Sequence, residues 1–354
     1  MAPYDRLRDL PLEVEGFDLT RHEMDTSAGF TRVSTVVELQ GPDAVGRGED
    51  VTYETADHDR LQSAHESGDL DWDLAGSETV DSFSAALADV DLFPEPPERD
   101  VFRNYRRWAL ESAALDLALR QADTNLGAAL DRTYDPVRFV VSTRLDTGGD
   151  PTADRVRDWL AVDPTLEFKL DPTSEWGRDL VDELATTGQV RVLDFKNYYE
   201  GTEVDAEPDP DLYRRAVEAF PDAVLEDAKL TDETRDALAG VHDRLSWDYP
   251  VTGVESVRAL PVEPSWLNIK PSRFGTVESL LETVEYCLAG EITMYGGGQY
   301  ELAVGRDHLH ALASLFYPDS PNDVAPRAYN VPDPHSDVPA SPLAPSADPT
   351  GLEW

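Results

Sequence analysis

Carboxylates and a lysine recur at regular intervals in the second half of the chain, and their types suit metal and acid/base chemistry. Asp194, Glu226, Asp248 and Lys270 are separated by 32, 22 and 22 residues, and each follows a short apolar run. These intervals are typical of one strand-and-helix unit of a barrel whose strand ends converge on one mouth. The spacing therefore predicts that the three acids and the lysine lie close together.

A cluster of three carboxylates needs a positive partner. Like charges disfavour joint ionisation, and a divalent cation removes that repulsion. Oxygen ligands without His or Cys suit a hard ion, so Mg²⁺ is expected, with Mn²⁺ as the second choice. The alternative is that these are solvated acids at strand ends in a chain full of acids. Their common spacing and their flanking lysines favour the metal site.

Lysine is rare in this chain, and its positions are informative. Only Lys169, Lys196, Lys229 and Lys270 occur among 354 residues, and the other basic residues are arginines. All four lysines lie at or just beyond the ends of predicted strands. Arginine would balance acidic neighbours equally well, but lysine can shift its pKa and give up its proton. We interpret Lys229 as charge balance and the other three as evidence for acid/base chemistry.

Alternating strands and helices must position these residues. From about residue 137 the strand candidates are "VRFVVSTRL", "LEFKLDP", "VRVLDFK", "AVLEDAKL", "LSWDYPV", "WLNIKPS" and "ITMYGGG". Helical patterns such as "WGRDLVDELATTG" lie between them. Seven such units, with an eighth strand expected near "DVAPRAYN", predict an α/β fold of the (β/α) TIM-type barrel.

The N-terminal third has a different pattern. "LEVEGFDLTRHEM" and "FTRVSTVVELQG" are strand candidates separated by the hairpin signal "DTSAG", and helices are expected from an N-cap at Ser77 to about residue 131. We therefore divide the chain into an α+β domain (1–125), a barrel domain (126–330) and a Pro-rich tail (331–354). The tail is either a linker or, as we expect, packs back on the body through Leu352 and Trp354.

Composition restricts the class of protein. The chain has 71 acidic and 30 basic residues, a net charge of -41, and 40% hydrophobic residues that can form a core. Such a negative field disfavours nucleic acid and anionic membranes as partners, and indicates a halophilic protein with a hydrated acidic surface. The single cysteine, Cys287, fits a reducing compartment. With no apolar run of membrane-spanning length, we expect a soluble cytoplasmic protein.

The order of the motifs resembles the enolase superfamily, in the branch of mandelate racemase and the muconate-lactonizing enzymes. "FKLD", "LDFKN", "LEDAKL", "SWDYPVT" and "LNIKPSRFG" resemble its successive barrel-strand motifs, and "GRGE" resembles a turn of its N-terminal capping domain. The resemblance implies that Asp194, Glu226 and Asp248 bind Mg²⁺ and that Lys270 is a catalytic acid/base. The implied chemistry is removal of the proton α to a carboxylate, giving an enediolate that the metal stabilises. A lysine beside the cation is expected to have a lowered pKa.

The chain departs from this branch at three positions. Asp171, two residues after Lys169, stands where a base lysine is usual on the second barrel strand. Lys196 stands where Asn is common, and Tyr249 where Glu often follows the third metal ligand. Side chains two apart on a strand share a face, so Lys196 is expected beside Asp194. Lys196, Lys169 and Asp171 are thus candidates for the second acid/base group, with Asp171 paired to one of the two lysines.

The expected substrate is a small carboxylate, and six residues are candidates for contacting it. The run "YGGGQYE" is either a tight turn or a close backbone approach to substrate. The six candidates are Gly297, Gly298, Gln299, Glu301, Tyr198 and Arg273.

The altered second strand bears on the expected reaction. Loss of the usual base there favours β-elimination (a dehydratase or lyase) or cycloisomerisation. Racemisation or epimerisation is the alternative, and a metal hydrolase or a non-catalytic barrel is an alternative of another class. A homo-oligomer is expected.

Overall fold

The computed structural model describes residues 2–145, 149–202 and 204–354, which form an N-terminal α+β part followed by a barrel. The strands in these ranges are β1 (Pro11–Val14), β2 (Gly16–Asp25), β3 (Thr31–Gln40), β4 (Val45–Asp50), β5 (Gly76–Thr79), β6 (Val141–Thr143), β7 (Phe168–Leu170), β8 (Val190–Asp194), β9 (Val224–Glu226), β10 (Leu245–Trp247), β11 (Trp266–Ile269) and β12 (Thr293–Gly296). The helices are α1 (Thr55–Ser67), α2 (Val80–Leu87), α3 (Val101–Gln121), α4 (Leu126–Leu130), α5 (Asp154–Val162), α6 (Arg178–Thr187), α7 (Pro210–Ala219), α8 (Val254–Arg258), α9 (Pro271–Phe274), α10 (Val277–Ala289) and α11 (Val304–Phe316).

The N-terminal part is an antiparallel sheet that packs on the long helix α3. β2 and β3 form the predicted hairpin, in register from Gly16↔Gln40 to Asp25↔Thr31, and β4 pairs with β3. The glycines of "GRGE" allow β4 to approach the helix, because a Cβ at Gly48 would lie 1.9 Å from the carbonyl oxygen of Ala109. Close backbone approach is a main reason for glycine at such positions.

Two helix boundaries in this part differ from expectation. Ser77 is not an N-cap, because residues 76–79 pair as strand β5 with β1. Thr79 caps α2 instead, and its hydroxyl accepts a hydrogen bond from the Ser82 N–H. The helical stretch expected to reach residue 131 ends at Gln121, and a separate short helix begins after the N-cap Asn125.

The barrel sheet contains seven parallel strands, β6 to β12, in sequence order. The eighth strand expected near residues 323–330 does not form. Asn322 and Asp323 instead make single bridges to Phe139 and Gly297. Phe139 lies just before β6 and Gly297 just after β12, so the two bridges connect the first and last strands of the barrel sheet. Pro321 and Pro326 flank these bridges and have no N–H to extend a ladder, which explains why the strand is reduced to two residues.

Glu49 of β4 joins the two parts of the molecule. Its carboxylate accepts hydrogen bonds from the N–H groups of Leu302 (2.6 Å), Ala303 (3.0 Å) and Gly305 (2.9 Å), where α11 begins. A carboxylate at a helix N-terminus satisfies unpaired donors and complements the helix dipole. The contact fixes the β12–α11 loop against the N-terminal sheet.

The C-terminal tail contacts both parts. Leu343 pairs with Val137, and the buried Leu352 donates its N–H to Asp116 of α3 at 2.8 Å. Trp354 stacks near His310 at 4.9 Å between ring centroids. No helix within the described ranges is long and apolar enough to cross a membrane.

Candidate active site

Three neighbouring strands bring Asp194, Glu226 and Asp248 into one row. Asp194 ends β8 and is in register with Glu226 at the end of β9, while Asp248 directly follows β10. Because parallel strands place their carboxyl ends on one side, all three side chains meet at the barrel mouth. Each of the three residues is at most 1% exposed.

Lys169 is a fully buried cation at the centre of this row. It lies on β7, and its Nζ is 2.5 Å from Glu226 Oε1, 3.2 Å from Asp194 Oδ2 and 3.2 Å from Asp323 Oδ2. Burial disfavours its charged form, but these acids outweigh burial and hold the pKa of Lys169 well above its usual value. Lys169 is therefore a fixed positive charge that holds two of the carboxylates together.

Lys196 lies at one end of the row. Its Nζ is 2.6 Å from Asp194 Oδ2 and 3.5 Å from Asp171 Oδ2, so it shares the face of Asp194 and pairs with Asp171. Its backbone has a φ of 54°, which is rare for a non-glycine residue and recurs at functional sites. Burial opposes its charge, but Asp171 and Asp194 raise the pKa of Lys196 above its usual value.

Lys270 lies at the other end of the row, where it forms an ion pair with Asp248. Its Nζ is 2.7 Å from Asp248 Oδ2, and the same carboxylate accepts hydrogen bonds from Tyr199 Oη at 2.6 Å and Arg273 Nε at 3.0 Å. Burial would raise the pKa of Asp248, but Arg273 and Lys270 hold it well below its usual range. Asp248 is thus held as an anion between two cations.

Glu226, in the middle of the row, has mostly neutral partners besides Lys169. It accepts hydrogen bonds from Tyr295 Oη (2.5 Å) and Asn268 Nδ2 (3.2 Å). Burial raises the pKa of Glu226 to about 8, with further increases from Asp194 and Asp248 that Lys169 only partly offsets. This carboxylate is the least compensated of the three.

Five residues of the cluster were missed in the sequence: Arg144, Asp227, Asn268, Tyr295 and Asp323. Asn268 could have been found, because it lies on β11 two residues before Lys270, which directly follows that strand, and residues two apart share a face. Asp323 lies where a full strand was expected, and its position depends on the bridge to Gly297. Tyr295 has no signal in the sequence beyond its place in β12.

The donor set fits a hard divalent cation. The cluster contains six acids and five bases, namely Asp171, Asp194, Glu226, Asp227, Asp248 and Asp323 with Arg144, Lys169, Lys196, Lys270 and Arg273. Two buried acceptor atoms beside the row, Asp171 Oδ1 and Asn268 Oδ1, have no hydrogen-bond partner. Oxygen-only donors with uncompensated negative charge suit Mg²⁺.

The acids do not converge on a point, however. Within the described ranges, no group of three or more His, Cys, Asp or Glu is arranged to hold a metal ion. The lysine ammonium groups lie between the carboxylates instead.

The six candidate substrate contacts are in different surroundings. Gly297 lies against the cluster, since a Cβ there would be 2.2 Å from Asn268 Oδ1 and 2.7 Å from Lys270 Cε. The neighbouring Gly298 lies against Glu301, whose carboxylate a Cβ there would meet at 2.5 Å. Arg273 binds Asp248 as described above. Tyr198 instead packs against Lys229, with the ammonium 5.8 Å from its ring, and its neighbour Tyr199 is the tyrosine that contacts the cluster.

Gln299 and Glu301 have partners in their own surroundings. Gln299 bonds to the hydroxyls of Tyr53 (3.0 Å) and Tyr105 (3.1 Å), both in the N-terminal part. Glu301 accepts the Gln299 N–H at 2.7 Å and pairs with Arg306 at 3.3 Å. These contacts fix the loop after β12 over the mouth.

Solved structures with the same fold belong to the enolase superfamily. A dipeptide epimerase from Methylococcus capsulatus, complexed with Mg ion, matches with a TM-score of 0.69 and 17% identity over 97% of this chain and 99% of that chain. A muconate lactonizing enzyme from Pseudomonas fluorescens, complexed with muconolactone, matches with a TM-score of 0.67 and 16% identity over 96% of each chain. A protein from Enterococcus faecalis, described as an unknown member of the enolase superfamily, matches with a TM-score of 0.64 and 16% identity over 91% of this chain and 88% of that chain.

The chain therefore has the enolase-superfamily fold of the muconate-lactonizing branch, a barrel with an N-terminal capping domain, as predicted. By sequence it belongs to the DUF8230 family. The family's N-terminal domain, described as a domain of unknown function, matches residues 5–129, and its C-terminal domain matches residues 133–331. No curated protein matches the chain in sequence.

Proposed function

We propose that the protein is an Mg²⁺-dependent enzyme that removes the proton α to a substrate carboxylate and then completes a β-elimination or a cycloisomerisation. The observation that carries this proposal is the placement of two ammonium groups at opposite ends of one carboxylate row. Lys196 contacts Asp194 at 2.6 Å and Lys270 contacts Asp248 at 2.7 Å. A substrate over Glu226, in the middle, would have a proton donor or acceptor on each side.

Asp194, Glu226 and Asp248 are the residues that would hold Mg²⁺. When bound, the ion supplies positive charge that stabilises the negative charge developing on a carboxylate as its α-proton leaves. Lys169 contributes a further fixed positive charge beside the same oxygens, since its pKa is raised well above the usual value. Most of the electrostatic stabilisation is then present before the substrate arrives.

Lys270 is the proposed base and Lys196 the proposed acid. In the proposed elimination Lys270 acts as the neutral amine, so the α C–H bond breaks and its proton moves to the lone pair of Lys270 Nζ. The electron pair forms the new double bond as the β leaving group departs with a proton from Lys196 Nζ. The neighbouring acids raise the pKa of Lys196, and this keeps it protonated, as a general acid requires. Asp171, 3.5 Å away, would orient the ammonium group.

Racemisation or epimerisation is the second candidate function. It needs an acid/base group on each face of the substrate, and the opposite placement of Lys196 and Lys270 meets that need. It also requires Lys196 to act as a base, which the acids around it oppose unless a bound cation takes up their charge.

Solvent deuterium exchange tests these assignments. The protein, with Mg²⁺ at high salt, is incubated in D₂O with acid sugars, dipeptides and succinylbenzoate-type acids, and deuterium at Cα is measured by NMR. Elimination gives an unsaturated product, whereas epimerisation puts deuterium into both epimers. A chelator should abolish either result. Exchange or turnover that persists undiminished in the chelator would contradict the metal assignment.

Lys196→Arg separates charge from proton transfer, because arginine keeps the positive charge but holds its proton. We expect turnover to fall by about 10²-fold, the usual contribution of a general acid. Lys229→Arg is the matched control, since Lys229 pairs with the exposed Glu200 outside the cluster. Full activity in Lys196→Arg would exclude the proposed role of Lys196.

A further inference from the structure

Aromatic side chains form a rim where the N-terminal domain meets the barrel mouth. Phe30 and Tyr53 are 36% and 38% exposed, and their ring centroids are 6.4 Å apart. Tyr300, in the loop after β12, meets Phe30 edge-on at 5.5 Å. We call Phe30, Tyr53 and Tyr300 the aromatic rim. Of the other large apolar side chains in the described ranges, only Leu288 is comparably exposed, so two of these three lie together.

Tyr53 is held in place by polar contacts although its side chain is partly exposed. Its hydroxyl donates to Gln299 Oε1 at 3.0 Å, and the guanidinium of Arg32 lies over its ring at 4.4 Å. Arg32 is buried and donates to the carbonyl oxygens of Val51 and Thr52, so it cannot move away from the ring. A ring fixed in this way loses little conformational entropy when it binds a ligand.

The hairpin that carries Phe30 is also anchored. Thr26 closes the turn, because its N–H and its hydroxyl both donate to the Phe30 carbonyl, at 3.0 and 2.8 Å. The next residue, Ser27, donates its N–H to the carbonyl of Asn330 in the barrel part at 2.7 Å. Phe30 is thus attached to both parts of the molecule at the entrance to the site.

Tyr300 connects the rim to the lysine cluster. Tyr300 lies three residues after Gly297, where a Cβ would be 2.2 Å from Asn268 Oδ1 and 2.7 Å from Lys270 Cε, so the loop that carries Tyr300 begins against the cluster. The φ of Tyr300, 56°, is in the left-handed region, which costs about 1 kcal/mol for a non-glycine residue. Such strain recurs at ligand-binding positions.

We propose that the aromatic rim binds a flat apolar group of the substrate, so that the substrate is a carboxylate bearing an aryl substituent and not an acid sugar or a charged dipeptide. The inference rests on the proposed function for the carboxylate end. Lys196 is the most exposed ammonium of the cluster, at 19% of its side chain, and the loop that carries Tyr300 leaves the cluster at Gly297, beside Lys270. Phe30 and Tyr53 lie side by side and exposed, and together they offer an apolar surface on which a flat group packs.

Binding of unreactive acids tests the rim without requiring turnover. Affinities of 3-phenylpropanoate, hexanoate and gluconate are measured by calorimetry on the whole protein with Mg²⁺ at high salt. We expect 3-phenylpropanoate to bind about tenfold more tightly than gluconate, the value of one good aromatic contact. Phe30→Ala should remove that advantage, and Phe30→Leu, which keeps apolar area without the ring, should retain part of it. Leu288→Ala is the control and should change nothing.

Two outcomes would contradict the proposed binding role of the aromatic rim. One is that gluconate binds as tightly as 3-phenylpropanoate. The other is that Phe30→Ala, with its circular dichroism and unfolding temperature preserved, binds 3-phenylpropanoate with unchanged affinity. The failure of the proposed function looks different. If aryl acids bind through Phe30 but no aryl carboxylate exchanges its α-proton, the reaction is wrong and the rim stands. If acid sugars exchange and aryl acids neither bind nor exchange, the reaction stands and the rim is wrong.

Discussion

Two buried groups of charged residues, one in the N-terminal domain and one at the barrel mouth, differ in how completely their charges are balanced. In the N-terminal group Asp50 pairs with Arg106 at 2.8 Å and also accepts hydrogen bonds from the N–H and hydroxyl of Thr52. Arg106 donates its remaining bonds to the carbonyls of Leu92 and Asp57. Burial opposes the charge on Asp50, but Arg106 and His58 lower its pKa to about 2.

The barrel mouth lacks this balance. Burial and neighbouring acids raise the pKa of Glu226 to about 8 and that of Asp227 to about 7. Acceptor atoms of Asp171 and Asn268 are buried without a donor. Since a buried polar group without a partner is costly, such a cluster persists where a ligand or ion completes it. The charges of the structural group are therefore compensated within the protein, whereas those of the proposed functional group are compensated only in part.

The largest expected effect is on activity at the barrel mouth. Lys270→Met removes the proposed base and should lower turnover by about 10³-fold, within the range measured for general bases. Stability should change little, because Asp248 keeps its bonds to Arg273 and Tyr199. Steady-state kinetics and thermal unfolding measure the two quantities on one preparation.

Lys229→Met is the matched control for this change. It removes a lysine that pairs only at the surface with Glu200 at 2.7 Å, and should leave turnover unchanged. If Lys270→Met turned over substrate as fast as the control, the functional interpretation of the mouth would be lost.

The reverse effect is expected in the N-terminal group. Arg106→Met leaves the fully buried Asp50 without its cation, which should lower the free energy of unfolding by about 3–5 kcal/mol. Activity per folded molecule should be retained, because Arg106 does not contact the mouth cluster. Urea denaturation at high salt checks the value.

Arg103→Met, on the same helix, is the control for Arg106→Met. Its side chain is half exposed and pairs with Asp91 and Asp100 only at 3.8 Å, so its loss should cost about 0.5 kcal/mol or less. Equal destabilisation in the two variants would contradict the contrast between a buried pair and surface pairs.

The sequence predicted which residues lie at the barrel mouth better than it predicted how their side chains pair. Strand-and-helix spacing was enough to bring Asp194, Glu226 and Asp248 to neighbouring strands, because topology alone determines where parallel strand ends meet. It could not assign Lys169 to the centre of the row or Lys196 to Asp171, since both depend on side-chain conformations. The raised pKa of Lys196 follows from those pairings, so the sequence could not predict it either.

The fold shows the same division between local pattern and tertiary context. The β2–β3 hairpin was predicted from its turn residues, because pairing of adjacent strands is local. The reduced eighth strand and the cap at Thr79 were not, because each depends on a distant partner: β5 exists only by pairing with β1. Exposure of Phe30 and Tyr53 also belongs to tertiary context, since their periodicity does not distinguish a rim from a core.

The smallest effect expected is a difference in pH dependence between the two groups. Glu226 has a folded-state pKa of about 8 against an ordinary 4.5, so the unfolded chain loses this proton first and stability falls as pH rises towards 8. Asp50, with a lowered pKa, contributes stability that is lost only as pH falls through about 2. Burial lowers the pKa of three histidines, His58, His308 and His310. Because the unfolded chain binds these protons more readily, stability also falls as pH falls below about 6.5.

The difference between the wild type and Glu226→Gln from pH 6.5 to 8 isolates Glu226, because the three histidines titrate alike in both proteins. In a chelator the wild type should lose about 2 kcal/mol more unfolding free energy across this window than Glu226→Gln, since one proton per pH unit is worth about 1.4 kcal/mol. Glu226→Gln cannot ionise and should lose less, and Mg²⁺ should flatten the wild-type profile by binding the ionised carboxylates. Identical slopes for the wild type and Glu226→Gln would mean that Glu226 is already compensated within the protein, and the two buried groups would then be alike.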